Sequence, residues 1–270
     1  MYSLKILVGT ATAKLVFKDK ELMMKVLKRY SAFKTDREED ITINVRTVNG
    51  LLNEYNFIKT DYGPDDLILI RHRYGKLKID KDFNCFLTIF LSPKYLLLIL
   101  DRFMGLIFEI YYYINQKGLL LHASAVIHND GVLIFAGPGG EGKSTIAKKF
   151  PKNNVLNDDS VILTDGYCYA TPFSSWGGFN NNLSGKISKI FFIKQSKKNS
   201  VKQLTFFETI PHLFKNIFLF RTLNEENNKL VGDNILLDKI QCFFSIVKSF
   251  KEIKSYKLYL TKNNNLKNLI

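Results

Sequence analysis

The chain has 270 residues and a mass of 31.2 kDa, which predicts one large domain or two domains of ordinary size. Hydrophobic residues make up 46% of it and charged residues 24%, and this balance excludes a globally disordered protein. The 39 Lys and Arg exceed the 25 Asp and Glu, so the formal net charge is +14. That charge permits nucleic acid, anionic lipid or phosphate-rich ligands as partners but selects none of them.

Residues 3–18 have the alternation of two short strands around a Gly-Thr turn, and residues 20–33 have apolar side chains at helical spacing. Residues 41–48 alternate as a half-buried strand, and residues 67–92 contain further strand-like runs. Residues 93–116 form the longest helix candidate. We therefore expect residues 1–116 to form an α+β domain, in which no motif points to chemistry.

The apolar stretch 95–114 is the best candidate for a membrane span. Asp101, Arg102 and Glu109 interrupt it, and each such charge costs about 2.5–3.5 kcal/mol at a bilayer centre. A buried helix is the better assignment, and we expect no membrane association. The N-terminal apolar stretch contains Lys5, which is untypical of a signal peptide.

The cysteines are few and far apart in the sequence. This pattern is typical neither of a disulfide framework nor of a metal site. They are Cys85, Cys168 and Cys242. Reduced thiols and a cytoplasmic protein are expected.

After Gly118 the pattern changes to two apolar strands joined by Asn129-Asp130-Gly131, a strong hairpin signal. A glycine-rich turn then opens a helix, and strands are predicted within 155–171 and over 187–193. The chain is mainly helical from Thr205, with a last strand near 255–260. The order of elements predicts a second, α/β domain over 117–270, so that the whole chain is α+β.

The glycine-rich turn matches the pattern G-x-x-x-x-G-K-[ST] at every fixed position. Its residues are Gly137, Pro138, Gly139, Gly140, Glu141, Gly142, Lys143 and Ser144. Glycines let successive backbone N–H groups point into one concavity, and the following helix N-terminus adds positive potential there. We expect a nucleotide site in which Lys143 reaches the β- and γ-phosphates and Ser144 ligates Mg²⁺, with Thr145 as a second hydroxyl. The alternative is a strand-to-helix turn that binds nothing.

Two further elements are candidates for catalysis. Asp158 and Asp159 end a short apolar stretch after the loop helix, where one can act as general base and the other can support the metal. The alternative for Asn157-Asp158-Asp159 is a plain turn or an Asx cap. His122 lies in a predicted strand, on the face opposite Leu121, and its alternative is a hydrogen-bonded histidine on a sheet.

Together, the segments LHASAV, GPGGEGKST and LNDD resemble the HPr kinase-like family, whose fold is shared with the nucleotide-binding domain of ATP-dependent phosphoenolpyruvate carboxykinase. The resemblance covers about residues 118–262, and Tyr169–Phe173 with Trp176-Gly177-Gly178 resembles a stretch of relatives that phosphorylate a peptide serine. It implies that His122 lines the active site. It also implies that Asp158 and Asp159 lie beside the metal and the acceptor hydroxyl.

The sequence also departs from the family pattern. Gly139, Ala123 and Thr145 stand where HPr kinases usually have Ser, Gly and Glu, and no counterpart of the "RRG" signature follows. These departures argue against HPr as the acceptor and against the phosphorylase reaction.

Four functions are compatible with the sequence. The leading one is an ATP- and Mg²⁺-dependent kinase acting on a Ser or Thr hydroxyl of a peptide or protein, with Asp158 as base, Asp159 at the metal and His122 near the transferred group. A non-catalytic nucleotide-binding module and a carboxykinase-like enzyme acting on a small metabolite are alternatives. A nucleic-acid-associated ATPase is less favoured, because the lysines are scattered without a recognition motif. Homo-oligomerisation stays open.

Overall fold

The computed structural model describes residues 1–49, 59–62, 68–72, 74–91, 95–129, 131–173, 178–179, 181–217 and 233–261. The strands of the first half are β1 (Tyr2–Val8), β2 (Ala11–Phe17), β3 (Ile41–Asn49), β4 (Lys59–Tyr62), β5 (Ile68–His72), β6 (Gly75–Ile79) and β7 (Asn84–Leu91). Those of the second half are β8 (Leu119–Leu121), β9 (Ala123–His128), β10 (Gly131–Ala136), β11 (Val155–Asn157), β12 (Val161–Thr164), β13 (Tyr167–Ala170), β14 (Ser184–Gln195), β15 (Ser200–Leu204) and β16 (Lys254–Leu260). The helices are α1 (Lys20–Arg29), α2 (Leu96–Ile114), α3 (Lys143–Ala147), α4 (Phe206–Lys215) and α5 (Asp233–Lys248).

The first sheet has the strand order β1-β2-β3-β7-β6-β5-β4 among the described residues. Strands β2, β3 and β7 run parallel, and the other neighbours are antiparallel. Every second side chain of the central strands is buried, as in Ile41, Ile43 and Val45 of β3. Helices α1 and α2 pack on this sheet, so the other face is turned away from the core.

The second sheet has the order β11-β9-β10-β14-β13-β12-β8, and β16 and β15 extend it from β14. Strands β10, β14 and β16 are parallel to one another. Strand β9 runs antiparallel to both β10 and β11, so β11 has the same direction as β10. The carboxyl ends of these four strands therefore lie at one edge of the sheet, where ligands bind in open α/β sheets.

Helix α2 is largely buried and contacts β7 of the first sheet and β8 of the second. Its buried Asp101 accepts hydrogen bonds from Arg29 Nε at 3.0 Å and from the Tyr30 hydroxyl at 2.8 Å. The prediction of a buried helix is thus confirmed, because a partner from α1 compensates the charge that interrupts its apolar sequence. No described helix is long and apolar enough to cross a membrane.

The fold is mixed α/β with two sheets and helices packed on them, as the sequence predicts at that level. The predicted elements 3–18, 41–48 and 187–193 are confirmed as β1 with β2, β3 and the centre of β14. Strands β4 and β15 were not predicted. The division into domains 1–116 and 117–270 stays a prediction; its boundary follows the end of α2.

One prediction near the glycine-rich loop needs correction, and a second is confirmed, since a helix begins at Lys143. His122 does not lie in a strand: the chain breaks there, β8 pairs with β12, and β9 pairs with β10 and β11. Helix α3 has only five residues, because the chain turns through Lys148–Phe150 and reaches Pro151, which cannot continue a helix.

Candidate functional site

The topology brings the three candidate elements together although they are distant in sequence. The glycine-rich loop follows the carboxyl end of β10, and Asp158 and Asp159 follow the carboxyl end of β11. Strand β9 lies between these strands in the opposite direction, so its amino end is at the same edge, with Ala123 opposite Ala136. His122 immediately precedes that end. All the predicted site residues therefore lie at one edge of the second sheet.

The loop conformation requires glycine at two positions. Gly140 has φ +85° and Gly142 has φ +101°, in the left-handed region that L side chains rarely adopt. A Cβ built at Gly139, Gly140 or Gly142 meets no atom within 4 Å, so open space adjoins the loop. A loop of this kind offers backbone N–H groups to an anion without obstruction by its own side chains.

The backbone N–H groups of the loop are mostly without intramolecular acceptors. Glu141 N–H donates to Pro138 O at 3.4 Å, and Ile146 N–H donates to Gly142 O at 2.9 Å. Among the described residues, the N–H groups of Gly139, Gly140 and Gly142 meet no acceptor. Because α3 has only five residues, its dipole is small, and these N–H groups and Lys143 are the stronger donors that the loop could offer to an anion.

Lys143 folds back over the loop. Its ammonium donates to Gly137 O at 2.7 Å and to Pro138 O at 3.0 Å, and the residue is only 6% exposed. The buried Ser124 hydroxyl donates to Lys143 O at 3.2 Å and so ties the start of α3 to β9. A cation held at loop carbonyls can exchange these neutral acceptors for phosphate oxygens, which form stronger charge-assisted hydrogen bonds.

Gln195, at the end of β14, anchors the other side of the loop. Its backbone N–H donates to Glu141 Oε2 at 2.5 Å, and its side-chain amide donates to Gly140 O at 2.6 Å. Sequence reasoning missed this residue, because the contact depends on β14 lying parallel to β10. The side chain of Glu141 thus anchors the loop to the end of β14.

Asn157 builds the turn that carries the two carboxylates. Its buried side-chain oxygen accepts from Asp159 N–H at 2.7 Å and from Ser160 N–H at 3.1 Å, which is an Asx turn. Its amide nitrogen donates to Thr171 O at 2.8 Å and to Phe173 O at 3.2 Å. The Asx-turn interpretation is therefore right for Asn157, and the turn presents Asp158 and Asp159 next to the loop.

Segment Thr171–Phe173 stabilises the turn through buried hydrogen bonds. The Ser160 and Thr171 hydroxyls lie 2.7 Å apart, Thr171 also donates to Ser160 O at 2.9 Å, and Ser160 donates to Phe173 O at 3.2 Å. All these groups are buried and satisfied, which fixes the turn relative to β13. Trp176 and Gly177, part of the resemblance after this segment, lie outside the described residues.

His122 and Asp159 form a pair at the centre of the site. His122 Nδ1 lies 3.4 Å from Asp159 Oδ1 and 3.1 Å from Asp159 O, while its backbone N–H donates to Asn216 O at 2.7 Å. Ala123 N–H donates to Asp159 O at 3.0 Å, so β9 and the turn are joined directly. The Asp159 side chain is 17% exposed, whereas Asp158 is fully buried.

The Ser144 hydroxyl joins the loop to the carboxylate turn by donating to Asp158 O at 3.4 Å. Hydroxyl, carboxylate and phosphate oxygens are the ligands that Mg²⁺ takes in nucleotide sites, where it keeps several waters. Among the described residues, no three His, Cys, Asp or Glu side chains group around a metal position. The described residues therefore do not form an all-protein metal cage. Ser144 and one carboxylate are oxygen ligands of the kind that a magnesium ion held mainly by nucleotide and water would use.

The structure brings most of the predicted site residues together. Lys143 contacts the loop, Ser144 contacts Asp158, and His122 contacts Asp159. Thr145 is exposed on the first turn of α3. Ser124 and Gln195 are positioning residues that sequence reasoning missed, whereas the turn at Asn157 was among its alternatives.

The chain matches no known protein-family model, and no curated protein sequence matches it. The likeness to HPr kinase-like proteins therefore depends on the motif residues alone.

Proposed function

We propose that the protein transfers the γ-phosphoryl group of ATP to a Ser or Thr hydroxyl of a peptide or protein. The observation that carries the proposal is the convergence of the loop 137–142, the carboxylate turn and His122 at one sheet edge. The loop and Lys143 would suffice for nucleotide binding. Carboxylates and an imidazole beside them are the additional groups that a transfer reaction uses.

Binding of ATP would use the loop in its observed conformation. The N–H groups of Gly139, Gly140 and Gly142 lack acceptors among the described residues and can donate to phosphate oxygens. The Lys143 ammonium moves from Gly137 O and Pro138 O to the β- and γ-phosphates. Magnesium, when bound near Ser144, neutralises charge that develops on the bridging oxygens.

In the transfer step the acceptor hydroxyl oxygen bonds to the γ-phosphorus, and the bond from that phosphorus to the β–γ bridging oxygen breaks to leave ADP. Asp158 takes the hydroxyl proton as general base. Asp159 supports the metal, and His122, held by its contact with Asp159, orients groups near the transferred phosphoryl. Most of the catalytic effect comes from positioning and charge stabilisation.

Two isosteric variants test the proposal, each with ATP affinity and phosphotransfer measured on the same preparation. Asp158→Asn is expected to lower transfer by about 10²–10⁴-fold while the Kd for ATP changes by less than about threefold. Asp159→Asn is expected to raise the Mg²⁺ concentration that ATP binding needs. Lys143→Ala should abolish ATP binding, and Lys148→Ala, at an exposed lysine at the end of α3, serves as the matched control.

The second candidate is a module in which nucleotide occupancy, without transfer, controls a partner. The complete burial of Asp158 favours it, because a general base must be reached by the acceptor hydroxyl. ATP binding that is abolished by Lys143→Ala, together with no phosphorylated product in the presence of acceptor peptides, would replace the kinase proposal with this one.

A further inference from the structure

The first sheet presents a basic face to solvent. Along β3, β6 and β7 one set of alternate side chains is buried against the core, and the other set points outward. The outward set includes Arg46, Lys76, Lys78 and Phe86, which we call the basic face. The register places Phe86 between Asn44 and Lys78.

The charges on this face all have one sign. Every charged side chain on β3, β6 and β7 is a cation, and no carboxylate of the described residues forms an ion pair with one of them. On the neighbouring strands β1 and β2 the charge of the same face is partly offset, because Glu39 pairs with Lys5 at 2.5 Å and with Lys14 at 3.0 Å. Arg46, Lys76 and Lys78 are the cations of this face that have no ion-pair partner among the described residues.

Phe86 gives the face an apolar centre. Its ring is 50% exposed although it lies on a central strand of the sheet. An exposed aromatic ring between cations is typical of a contact surface, because aromatic residues and Arg are enriched at the cores of interfaces. A solvated sheet face with no partner more commonly carries charges of both signs.

The spacing of the cations fits an extended acidic peptide. Lys76 and Lys78 are two residues apart on one strand, which puts them about 6.6 Å apart, and Arg46 lies two strands away, about 10 Å. Alternate side chains of an extended peptide have the same repeat of about 6.6 Å. Two carboxylates of such a peptide can thus meet both lysines while an apolar residue lies on Phe86.

The basic face is less suited to binding single-stranded nucleic acid. Sheets that bind single strands stack two or three bases on exposed aromatic rings. Phe86 is the one well-exposed ring on the described parts of β3, β6 and β7, since Phe90 is half-buried.

We propose that the basic face docks an acidic segment of the acceptor. The identity of the docked molecule as the acceptor rests on the proposed kinase function, but docking itself needs no ATP. It can therefore be measured independently of nucleotide binding and transfer.

The test compares two triple charge reversals that change the net charge equally. The test variant carries Arg46→Glu, Lys76→Glu and Lys78→Glu. The control variant carries Lys248→Glu, Lys251→Glu and Lys254→Glu, which are exposed near the start of β16, at the end of the strand away from the loop. Thermal melts establish that both variants fold.

The probe is a fluorescein-labelled peptide in which Glu alternates with Ser and one Trp, and binding is followed by fluorescence anisotropy. The same peptide with Gln for Glu and a labelled oligothymidylate are the comparison probes. Wild type should bind the Glu peptide and not the Gln peptide, and more weakly at ~200 mM than at ~50 mM NaCl. The test variant should lose at least about tenfold in affinity and the control less than about twofold. Phe86→Ser should lose about threefold.

Several results would overturn the proposal. One is equal affinity in wild type and the test variant, and another is equal loss in both triple variants, which would mean that net charge alone acts. Tighter binding of oligothymidylate than of the Glu peptide, lost in the test variant, would assign the face to nucleic acid. Lys143→Ala should bind the Glu peptide as wild type does, so failure of nucleotide binding is distinguishable from failure of docking.

Discussion

Asn157 is the residue on which the geometry of the carboxylate turn most depends. Asn157→Ala removes the acceptor for the N–H groups of Asp159 and Ser160 and the donor to Thr171 O and Phe173 O. A buried polar group left without a partner costs about 1–3 kcal/mol. Two such groups would sum to about 2–6 kcal/mol. Because the Asp159 N–H is only part-buried, we expect a loss of about 2–4 kcal/mol in the free energy of unfolding.

Asn157→Asp keeps the shape of the side chain but removes its hydrogen-bond donor. It keeps an oxygen for the N–H groups of Asp159 and Ser160 but turns a second oxygen toward the carbonyls of Thr171 and Phe173, where the amide donated. A buried negative charge facing two carbonyl oxygens is unfavourable, so we expect Asn157→Asp to be at least as destabilising as Asn157→Ala.

The assay is thermal unfolding, in which about 2–4 kcal/mol corresponds to a fall of ~5–15 °C in Tm for a chain of this size. The control is Asn153→Ala, because Asn153 is exposed a few residues before β11. If Asn157→Asp has the same Tm as wild type, the Asn157 side-chain amide is not the donor to Thr171 O and Phe173 O that this reasoning requires. A loss below about 1 kcal/mol in Asn157→Ala would refute the estimate itself.

Other variants test the remaining features. Arg29→Ala leaves Asp101 buried without its guanidinium and should cost about 3–5 kcal/mol, measured by denaturant unfolding, and Asp101→Asn in the same chain should recover part of that loss. Hydrogen bonds from two lysines lower the pKa of Glu39 to about 2; its stabilising effect is therefore present above the usual carboxyl range and lost as pH falls toward 2. The Tm difference between wild type and Glu39→Gln should accordingly shrink over that interval. Gly142→Ala, at φ +101°, should lower the free energy of unfolding by about 1–2 kcal/mol, measured by thermal unfolding, and should weaken ATP binding. Gly139→Ala should leave Tm unchanged.

The elements that the sequence predicted well are those specified by local patterns. Strands β1 and β2 alternate around a turn at Gly9, and the hairpin between β9 and β10 closes with Gly131 opposite His128, as Asn129-Asp130-Gly131 predicts. Asp130 itself lies outside the described residues. Strand β15 was missed because four of its five residues are exposed and three are polar, and because its partner β16 begins 50 residues later along the chain.

The predicted site residues were found through a sequence motif, whereas most of the contacts that hold them in position were not predicted. Lys143 and Ser144 belong to a pattern with fixed spacing, so the sequence identified them directly. The Gln195 side chain donates a hydrogen bond to Gly140 O because strand pairing brings β14 beside β10. The Asn157 side chain donates to Phe173 O within a network of buried hydrogen bonds. Neither relation has a sequence signature, because both depend on contacts between distant segments. The break at His122 was missed for the same reason: local alternation continues through it, and only the different partners of β8 and β9 reveal it.

Strand β9 sets the separation between the two halves of the candidate site. Neighbouring strands are about 4.8 Å apart, so the ends of β10 and β11, with β9 between them, are about 10 Å apart. Helix α3 partly closes this gap by bringing the Ser144 hydroxyl to 3.4 Å from Asp158 O. Phosphates held by the loop would therefore face the carboxylates, with His122 between them. A module that only binds nucleotide needs the β10 side and Asp159, which supports the metal, whereas a kinase needs Asp158 in addition. The two proposed functions thus differ at Asp158, and phosphotransfer by wild type compared with Asp158→Asn decides between them.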